Sequence, residues 1–335
     1  MRTIVFGAGA LGCYLAHALV KAGNDVCVVA RGTWGQTLAQ RGLRIHHVVQ
    51  LRSTCDHPQV VGSLAEAGTA DVLFAVMQQG QMLEALPQIA AADAPLVVLV
   101  GNSLHVDEEL AYLAERAPDK TVLFGFQATA GRREADHVEC ARLGASGLTV
   151  GVAHGNAPEM AQAVLNYVFA KGGYKPHYQQ DMADWLACHA AAVLPFCYVA
   201  YRLECDLTRA SKEDLARLVD ASGEAYQALA QLGVRILPEG EQGFYRPGPR
   251  HAAWLLALQV IAKTTIGRLC VTDHCRAATT EMRAIDEDFM ALVETLPGRR
   301  MPTWDALRAE MPGWDELEAR WNRKANEEAP CSRGC

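Results

Sequence analysis

Short apolar runs separated by amphipathic stretches organise the first half of the chain. The runs have strand length and are rich in β-branched residues, which is typical of strands buried on both faces of a parallel sheet. The stretches between them space their apolar residues as a helix does. The predicted strands are 1–6, 25–30, 70–77, 95–100, 121–126, 137–143, 148–152 and 174–178, with edge strands at 44–49 and 57–61. The predicted helices are 10–20, 35–41, 78–92, 106–116 and 158–170.

The pattern changes near residue 180, where strand signals end and long helical patterns begin. These helices are predicted at 182–202, 212–232, 251–268 and 274–296. The fold class that follows is α/β, with an N-terminal Rossmann doubly wound parallel sheet and an all-α C-terminal domain. We expect the first domain at 1–180, a helical substrate and dimerisation domain at 181–325, and a disordered tail at 326–335. Proteins with two such domains typically bind a substrate in the cleft between them.

Composition limits the partners and the compartment. The chain has 335 residues and a formal net charge of −7, with a pI near 5.9, which argues against nucleic acid or an anionic membrane as a partner. No apolar run reaches the roughly 18 residues that a membrane helix needs, and the first predicted strand leaves no room for an N-terminal signal. We therefore expect a cytoplasmic protein that acts on a small molecule, with a homodimer through the helical domain as one option.

The eleven cysteines form no C-x-x-C pair. Cys270, His274 and Cys275 make the one close group of Cys and His, and a single i, i+4 pair is poor evidence for a metal site. Buried free thiols in a reducing cytoplasm explain the internal cysteines best. We expect no bound metal.

A glycine-rich motif follows the first strand and opens the first helix. Its residues are Gly7, Ala8, Gly9, Ala10, Leu11 and Gly12. In a βαβ unit, Gly7 makes the tight turn, Gly9 lets the backbone approach a pyrophosphate, and Gly12 lets helix and strand pack closely. The pyrophosphate would lie at the positive end of the helix that begins near Ala10. The motif and its flanking elements together predict a dinucleotide site.

The residue at the end of the second strand indicates which dinucleotide binds. NAD-binding proteins usually carry an acidic residue there, which accepts a hydrogen bond from the ribose 2′-hydroxyl. This chain carries Arg31, whose planar guanidinium suits a 2′-phosphate. The alternative is a surface arginine in a βα loop that contacts no ligand. The pattern favours NADP(H).

A polar break follows the strand at 95–100. It consists of Gly101, Asn102 and Ser103. The carboxyl ends of strands are where doubly wound folds bind their ligands. We therefore expect Asn102 near the cofactor or the substrate.

These residues resemble the ketopantoate reductase (2-dehydropantoate 2-reductase) family. The likeness rests on the segments GAGALGCYLA at 7–16, LVGNSLHVDEEL at 99–110 and FGFQATAGRRE at 124–134, on Arg31 and Trp185, and on Asp273, Glu281 and Pro302-Thr303. It spans nearly the whole chain, and its N-terminal half is the more specific. The resemblance implies NADP(H) as the cofactor and the reduction of a carbonyl group by hydride transfer.

The resemblance also implies roles for single residues. Asn102 matches the family asparagine that lies between nicotinamide and substrate, and Glu281 matches a glutamate near both. Met77 and Ala130 fall beside the cofactor, with Met77 in place of a family lysine. Asn102 and Glu281 are thus expected to contact the substrate.

Several positions depart from the family in one direction, from polar to apolar. The family's general-acid lysine corresponds to Ala187, and two substrate-holding asparagines correspond to Ala191 and Pro195. A substrate serine corresponds to Leu269. Because positions 187, 191 and 195 share one helix face, we expect a pocket more apolar than that of the family.

Another residue must then stabilise the charge that develops on the carbonyl oxygen, because Ala187 has no group that can do so. His189 is the nearest candidate, but two residues along a helix place it about 200° away, and this favours a core or surface histidine. Lys263, on a later helix, is a second candidate, and a solvated lysine explains it equally well. His251 and His274 are further candidates on the later helices.

Three functions remain compatible with the sequence. The first is an NADP(H)-dependent oxidoreductase of ketopantoate-reductase type that reduces a 2-oxo acid, ketone or imine-like substrate in an altered, more apolar pocket. The second is a true 2-dehydropantoate 2-reductase. The third is a non-catalytic NADPH-binding sensor or assembly protein, which would keep cofactor affinity and lack turnover.

Overall fold

A computed structural model describes residues 1–142, 147–154 and 158–327 of the chain. It divides into two compact units, Met1–Leu186 and Ala187–Cys335. The division falls inside one helix, Met182–Arg202, which begins just after the predicted boundary at 180. Each unit is described by itself below.

The first unit contains twelve strands in its described residues. They are β1 Arg2–Phe6, β2 Asp25–Val29, β3 Leu43–His47, β4 Arg52–Asp56, β5 Gln59–Val61, β6 Val72–Val76, β7 Leu96–Val100, β8 Thr121–Gln127, β9 Ala130–Arg133, β10 Val138–Ala141, β11 Gly147–His154 and β12 Lys175–Gln179. Six helices connect them. They are α1 Ala10–Lys21, α2 Gly32–Arg41, α3 Leu64–Ala67, α4 Gln79–Ala91, α5 Val106–Arg116 and α6 Pro158–Val168.

The main sheet has eight strands in the order β12-β11-β8-β7-β6-β1-β2-β5. The strands from β8 to β5 in this order are parallel, which confirms the predicted doubly wound fold. The strands β11 and β12 run the other way, because β11 pairs antiparallel with β8 and parallel with β12. The strand order reverses between β1 and β6, so the ligand crevice of such a sheet lies beyond their carboxyl ends.

Both faces of this sheet are covered, and successive strand residues contribute to different cores. Val5 and Phe74 pack with Leu15 and Leu19 of α1 on one face. Ile4 packs with residues of α4 and α5 on the other face. This is why the strand sequences are continuously apolar rather than alternating.

A second sheet of four strands, in the order β4-β3-β10-β9, was not anticipated. The expectation that 44–49 forms an edge strand is wrong in detail, since β3 lies inside this sheet between β4 and β10. Leu43, Ile45 and His47 are its buried positions, and the residues between them are exposed. Because this sheet also contacts α1, the residues from Gly12 to Leu19 of that helix are all buried.

The second unit is helical throughout its described part. Its helices are α7 Met182–Arg202, which begins in the first unit, α8 Lys212–Gln231, α9 Pro249–Ile261, α10 Thr265–Gly267, α11 Asp273–Ala277, α12 Thr279–Glu294, α13 Pro302–Glu310 and α14 Trp314–Glu327. A π-helical turn, Arg268–Thr272, joins α10 to α11. The all-α prediction is confirmed. The helix α14 reaches Glu327, past the predicted start of the tail at 326, and residues 328–335 lie outside the described part.

Two predicted helices are interrupted. The one at 251–268 ends at Ile261, and Thr264 is extended before the chain turns by 90° into α10 and α11. The one at 274–296 is divided at Ala278, whose φ of −129° is not helical. These breaks decide which side chains meet in the second unit.

The helix α7 is long and apolar enough to cross a membrane by length and composition. Most of its apolar stretch is buried inside the protein, as in the core helix of a globular domain. The described cysteines carry free thiols, all buried except Cys55 and Cys270, so the expectation of buried internal thiols is wrong for these two. Within the described ranges, no group of three or more His, Cys, Asp or Glu side chains is arranged to hold a metal ion.

Candidate functional site

The glycine loop after β1 has the shape that a pyrophosphate needs. Gly7 has a φ of +114°, and a Cβ there would lie 2.1 Å from the Val76 carbonyl oxygen. A Cβ on Gly12 would lie 1.8 Å from the Gly7 carbonyl oxygen. A Cβ on Gly9, in contrast, would meet no atom within 4 Å. Gly7 and Gly12 are therefore required by packing, and Gly9 faces open space.

The start of α1 is suited to an anion. Gly9 is its N-cap, no side chain caps it, and its first turn contains no acidic residue. The amide groups of a helix start lack intrahelical partners and carry the positive end of the helix dipole. With the open space at Gly9, these features fit the pyrophosphate of a dinucleotide.

Trp34 stabilises this loop, and the sequence reasoning did not identify it. Its indole Nε1–H donates a hydrogen bond of 2.8 Å to the Ala8 carbonyl. From the other side, Gln127 Nε2 donates to the Leu11 carbonyl at 3.1 Å. The backbone of the motif is thus fixed by α2 and by the end of β8.

Arg31 lies where the sequence predicts it, directly after β2. It is the exposed N-cap of α2, whose first turn has no acidic residue and no side-chain cap. A second cation is close to the same helix, since the Arg133 guanidinium lies 5.5 Å from the centre of the Trp34 ring. Trp34 lies three residues after Arg31, in the first turn of α2. Both cations are therefore near this turn.

The carboxyl ends of β6 and β7 adjoin the glycine loop. A Cβ on Gly7 would lie 3.5 Å from Met77 Cγ, and one on Gly101 would lie 2.4 Å from the Met77 carbonyl oxygen. Asn102 follows Gly101 and is half-buried. The predicted residues Met77 and Asn102 are thus at the edge of the sheet that carries the motif.

Ala130 begins β9, where it is half-buried opposite Ala141. The strand approaches the start of α1 closely, because a Cβ on Gly131 would lie 3.2 Å from the Cβ of Ala10. Thr129, one residue earlier, is buried, and its Oγ1 has no hydrogen-bond partner among the described residues.

A buried carboxyl supports the loop that contains Asn102. The Ser103 hydroxyl donates a hydrogen bond of 2.7 Å to Oε1 of Glu109 and accepts one of 3.0 Å from the His105 amide. Glu109 is fully buried, and burial raises its pKa to about 7. This network could not be predicted from the sequence, in which Glu109 is one of three acidic residues at the start of α5.

In the second unit, three predicted candidates come together. His274 Nε2 lies 3.9 Å from Oε2 of the buried Glu281. Burial, followed by the charge of His274, lowers the pKa of His189 to about 4. Burial also lowers the pKa of His274, whose ring remains 34% exposed and is the accessible member. Lys263 is exposed in the turn between α9 and α10.

The positions that the resemblance matched to polar family residues are apolar and buried in this unit. Ala187 and Ala191 are 5% and 0% exposed, and α7 continues without interruption through Pro195. Leu269 lies in the π-helical turn and is 1% exposed. Such turns occur often at functional sites, and here the turn ends at Thr272, directly before the buried Asp273.

Comparison with known proteins shows which family the first unit resembles. Residues 3–154 match the family model described as ketopantoate reductase PanE/ApbA. Over these residues, the chain is similar to the ketopantoate reductase family. Members of this family are oxidoreductases that act on a carbonyl or CH–OH group. The resemblance stated from the motifs is confirmed.

Solved structures show the same fold over almost the whole chain. A PanE/ApbA family ketopantoate reductase from Ralstonia eutropha JMP134 is 18% identical, with a TM-score of 0.70 over 96% of this chain and 100% of that one. A 2-dehydropantoate 2-reductase from Geobacter metallireducens GS-15 is 18% identical, with a TM-score of 0.69 over 92% and 98%. D-mandelate dehydrogenase with NADH and anilino(oxo)acetate is 14% identical, with a TM-score of 0.72 over 96% and 100%. No curated protein sequence matches the chain.

Proposed function

We propose that the chain is an NADP(H)-dependent oxidoreductase of ketopantoate-reductase type. It reduces the carbonyl group of a 2-oxo acid, or of a similar ketone or imine, in a pocket more apolar than one built for ketopantoate. The observation that carries this proposal is the glycine loop, with packing at Gly7 and Gly12 and open space at Gly9. Ketopantoate reductases and D-mandelate dehydrogenase, the fold's neighbours, support a 2-oxo acid as the substrate.

The choice of NADP(H) over NAD(H) rests on charge. Arg31 begins α2 without an acidic neighbour in the first turn, and Arg133 lies over Trp34 in the same surroundings. Two guanidinium groups favour a 2′-phosphate, which they bind through charge-assisted hydrogen bonds. A ribose 2′-hydroxyl would gain much less from them. We therefore propose that NADPH binds more tightly than NADH.

When bound, the nicotinamide supplies the hydride. The chain's own residues orient the carbonyl group and transfer the proton. By the family resemblance, the Asn102 amide contacts the substrate, and Glu281 lies near it. An oxygen that gains negative charge during the reaction is stabilised by such preorganised donors. The hydrogen bond from Ser103 to Glu109 holds the loop of Asn102 in place, which favours this role.

His274 is the proposed proton-transfer residue. The resemblance assigns Glu281 to the substrate region, and His274 Nε2 is 3.9 Å from its carboxyl group. A protonated imidazole can donate to the alkoxide, and a neutral one can accept the proton of the alcohol in the reverse direction. Because burial lowers the pKa of His274, the reduction should run faster as the pH falls. His189 is close enough to be affected by the charge of His274, but its own low pKa makes it the poorer donor.

The substrate is proposed to carry an apolar substituent. Small or apolar side chains occupy the positions at which the family has a lysine and two asparagines, namely Ala187, Ala191 and Pro195. Side chains of this kind pack against hydrocarbon and cannot bind a hydroxyl. Anilino(oxo)acetate, the ligand of the solved D-mandelate dehydrogenase, has such a substituent beside a 2-oxo acid group.

A binding and turnover experiment on the purified chain tests this function. NADPH and NADH are titrated by nicotinamide fluorescence, and NADPH consumption is then followed with ketopantoate and with aryl- and alkyl-substituted 2-oxo acids. Preferential NADPH binding with turnover of the apolar 2-oxo acids supports the proposal. Rapid turnover of ketopantoate would favour the true 2-dehydropantoate 2-reductase. Tight binding without turnover of any compound would favour the sensor, and absence of binding would overturn the proposal.

A further inference from the structure

Trp34 lies between the two places at which the phosphates of the cofactor are proposed to bind. It belongs to the first turn of α2 and is 8% exposed. Its indole N–H contacts the glycine loop, and its ring contacts the guanidinium of Arg133. Two different parts of one side chain are thus in contact with both proposed phosphate sites.

The indole N–H fixes the direction of one peptide group. Trp34 Nε1 donates a hydrogen bond of 2.8 Å to the Ala8 carbonyl oxygen. In a trans peptide, this oxygen and the N–H of the next residue lie in one plane and point in opposite directions. The bond therefore directs the Gly9 N–H away from Trp34. A Cβ on Gly9 would meet no atom within 4 Å, so the space beside this peptide group is open.

The Ala8 carbonyl accepts a second, weaker bond. Cys13 Sγ lies 3.5 Å from the same oxygen. Burial raises the pKa of the Cys13 thiol to about 12, whereas Trp34 and the Arg133 charge act in the opposite direction. The sulfur therefore keeps its proton at neutral pH and donates, although a thiol is a weak donor. The indole is the stronger of the two groups that hold this carbonyl.

The ring of Trp34 holds a guanidinium group. Arg133 Cζ lies 5.5 Å from the ring centre, within the range of a cation–π interaction. Arg133 is exposed at the end of β9, and a long exposed side chain has many rotamers unless a contact selects one. The ring thus keeps the charge of Arg133 beside the first turn of α2, where Arg31 is the N-cap.

We propose that Trp34 is the positioning residue for both phosphate-binding groups of the dinucleotide site. Its N–H orients the Gly9 amide for the pyrophosphate, and its ring orients Arg133 for the 2′-phosphate. This role rests on the proposed NADP(H) function, and it makes the two phosphate contacts depend on one side chain. Because NADH has no 2′-phosphate, it depends on the first contact alone.

Two fragments of the cofactor separate these contacts. ADP-ribose carries the pyrophosphate without a 2′-phosphate, and 2′-AMP carries the 2′-phosphate without a pyrophosphate. Each is titrated into the purified chain by isothermal titration calorimetry. Trp34→Phe removes the indole N–H and keeps an aromatic face. It should weaken ADP-ribose binding about two- to ten-fold, the usual effect of one hydrogen bond, and leave 2′-AMP binding unchanged.

Trp34→Leu removes both contacts. It should weaken ADP-ribose binding as much as Trp34→Phe does, and it should also weaken 2′-AMP binding about two- to five-fold, the range of an exposed cation–π interaction. NADPH should therefore lose more affinity than NADH in Trp34→Leu, whereas both should lose the same factor in Trp34→Phe. The matched control is Trp304→Phe, which removes a fully buried indole of the second unit and should change neither affinity. Thermal unfolding records the stability of each variant separately.

Two further measurements do not require that the Trp34 variants fold. Arg133→Lys keeps the charge and Trp34 but loses the planar guanidinium, so it should weaken 2′-AMP binding and leave ADP-ribose binding unchanged. In the wild type, the indole signal of Trp34 in the ¹⁵N NMR spectrum should shift on saturation with ADP-ribose. The reason is that a ligand bound to the Gly9 N–H polarises the carbonyl that accepts from Trp34.

Three results would overturn the role of Trp34. One is unchanged affinity for both fragments in Trp34→Leu. Another is an equal loss of both fragments in Trp34→Phe, which a general loosening of α2 would produce. The third is an indole signal that does not shift with ADP-ribose. Failure of the wild type to bind either fragment is a different result, because it would refute the dinucleotide site itself and with it the proposed function.

Discussion

The Ser103 hydroxyl donates a hydrogen bond of 2.7 Å to Oε1 of Glu109. The other carboxyl oxygen of Glu109 is buried without a hydrogen-bond partner among the described residues. Burial raises the pKa of this group from its ordinary value of 4.5 to about 7. The loop that carries Asn102 is therefore attached to a carboxyl group that changes its charge near neutral pH.

We predict that Glu109→Gln makes stability less dependent on pH. An acid with a raised pKa in the folded chain holds its proton more tightly when folded, so its contribution is present at low pH and lost as the pH rises through about 7. At about 1.4 kcal/mol per pKa unit, the upper limit is roughly 3 kcal/mol. Urea unfolding at pH 5 and pH 8 measures the effect. The control Glu108→Gln alters an exposed acid, and equal pH slopes for wild type and Glu109→Gln would refute the prediction.

The glycine loop allows binding and folding to be separated. Gly9→Val should abolish NADPH binding, because the side chain would enter the open space in which the pyrophosphate would lie. The fold should be retained, since Gly9 has an extended backbone with φ −70° and ψ −175°. Fluorescence titration and circular dichroism measure the two properties. Gly313→Val, also in open space, should change neither, and wild-type affinity in Gly9→Val would remove the basis for a dinucleotide site.

Gly12→Ala, in contrast to Gly9→Val, should destabilise the fold. Its Cβ would lie 1.8 Å from the Gly7 carbonyl oxygen, and such overpacking typically costs about 1–3 kcal/mol or more. We expect a lower midpoint of thermal unfolding, measured by differential scanning calorimetry. An unchanged midpoint would mean that helix and loop do not pack as closely as described.

The proposed preference for NADPH rests on Arg31. We predict that Arg31→Asp reverses the preference to NADH, because a carboxylate repels the 2′-phosphate and accepts a hydrogen bond from a 2′-hydroxyl. Arg133→Gln should weaken NADPH binding less strongly and leave NADH binding unchanged. Titrations of both cofactors test this, with Arg116→Gln on the exposed side of α5 as the control. Equal affinities of the wild type for NADPH and NADH would contradict the assignment.

The parts of the fold that the sequence predicts are those with a local signature. Buried strands such as β6 and β7 are continuous apolar runs, and the glycine loop is defined by contacts within one βαβ unit. The strand β4, in contrast, consists of RSTCD and is mostly exposed, and β9 contains two arginines. Such strands are stabilised by pairing with neighbouring strands and have no apolar pattern of their own, so the second sheet was not predicted.

The contacts of the candidate site were likewise not predictable from local sequence patterns. Trp34 and Ala8 are 26 residues apart in the chain, and a single tertiary hydrogen bond has no periodic pattern. His274 and Glu281 were expected on one continuous helix, on which seven residues span about 10 Å. The break at Ala278 instead allows their side chains to approach to 3.9 Å. Contacts that arise from a helix break require the structure.

We predict that His274→Gln lowers kcat by about 10²–10⁴-fold, the usual contribution of a general acid, with NADPH affinity unchanged. In the wild type, the rate of reduction should fall as the pH rises through the lowered pKa of His274, because the neutral imidazole no longer donates readily. That dependence should disappear in the variant. Steady-state rates across the pH range test both points, with His105→Gln as the control. Full activity of His274→Gln would exclude His274 as the proton donor.

The most direct measurement is the consumption of NADPH by the wild-type chain with ketopantoate and with an aryl-substituted 2-oxo acid. We predict turnover of the aryl compound and slow or absent turnover of ketopantoate, because Ala187, Ala191 and Pro195 offer no polar group to hold its hydroxyl. Ala187→Lys alone should not restore ketopantoate reduction, since the substrate would still be poorly oriented. Efficient reduction of ketopantoate by the wild type would contradict the apolar pocket, and bound NADPH that reduces no 2-oxo acid would contradict the proposed activity itself.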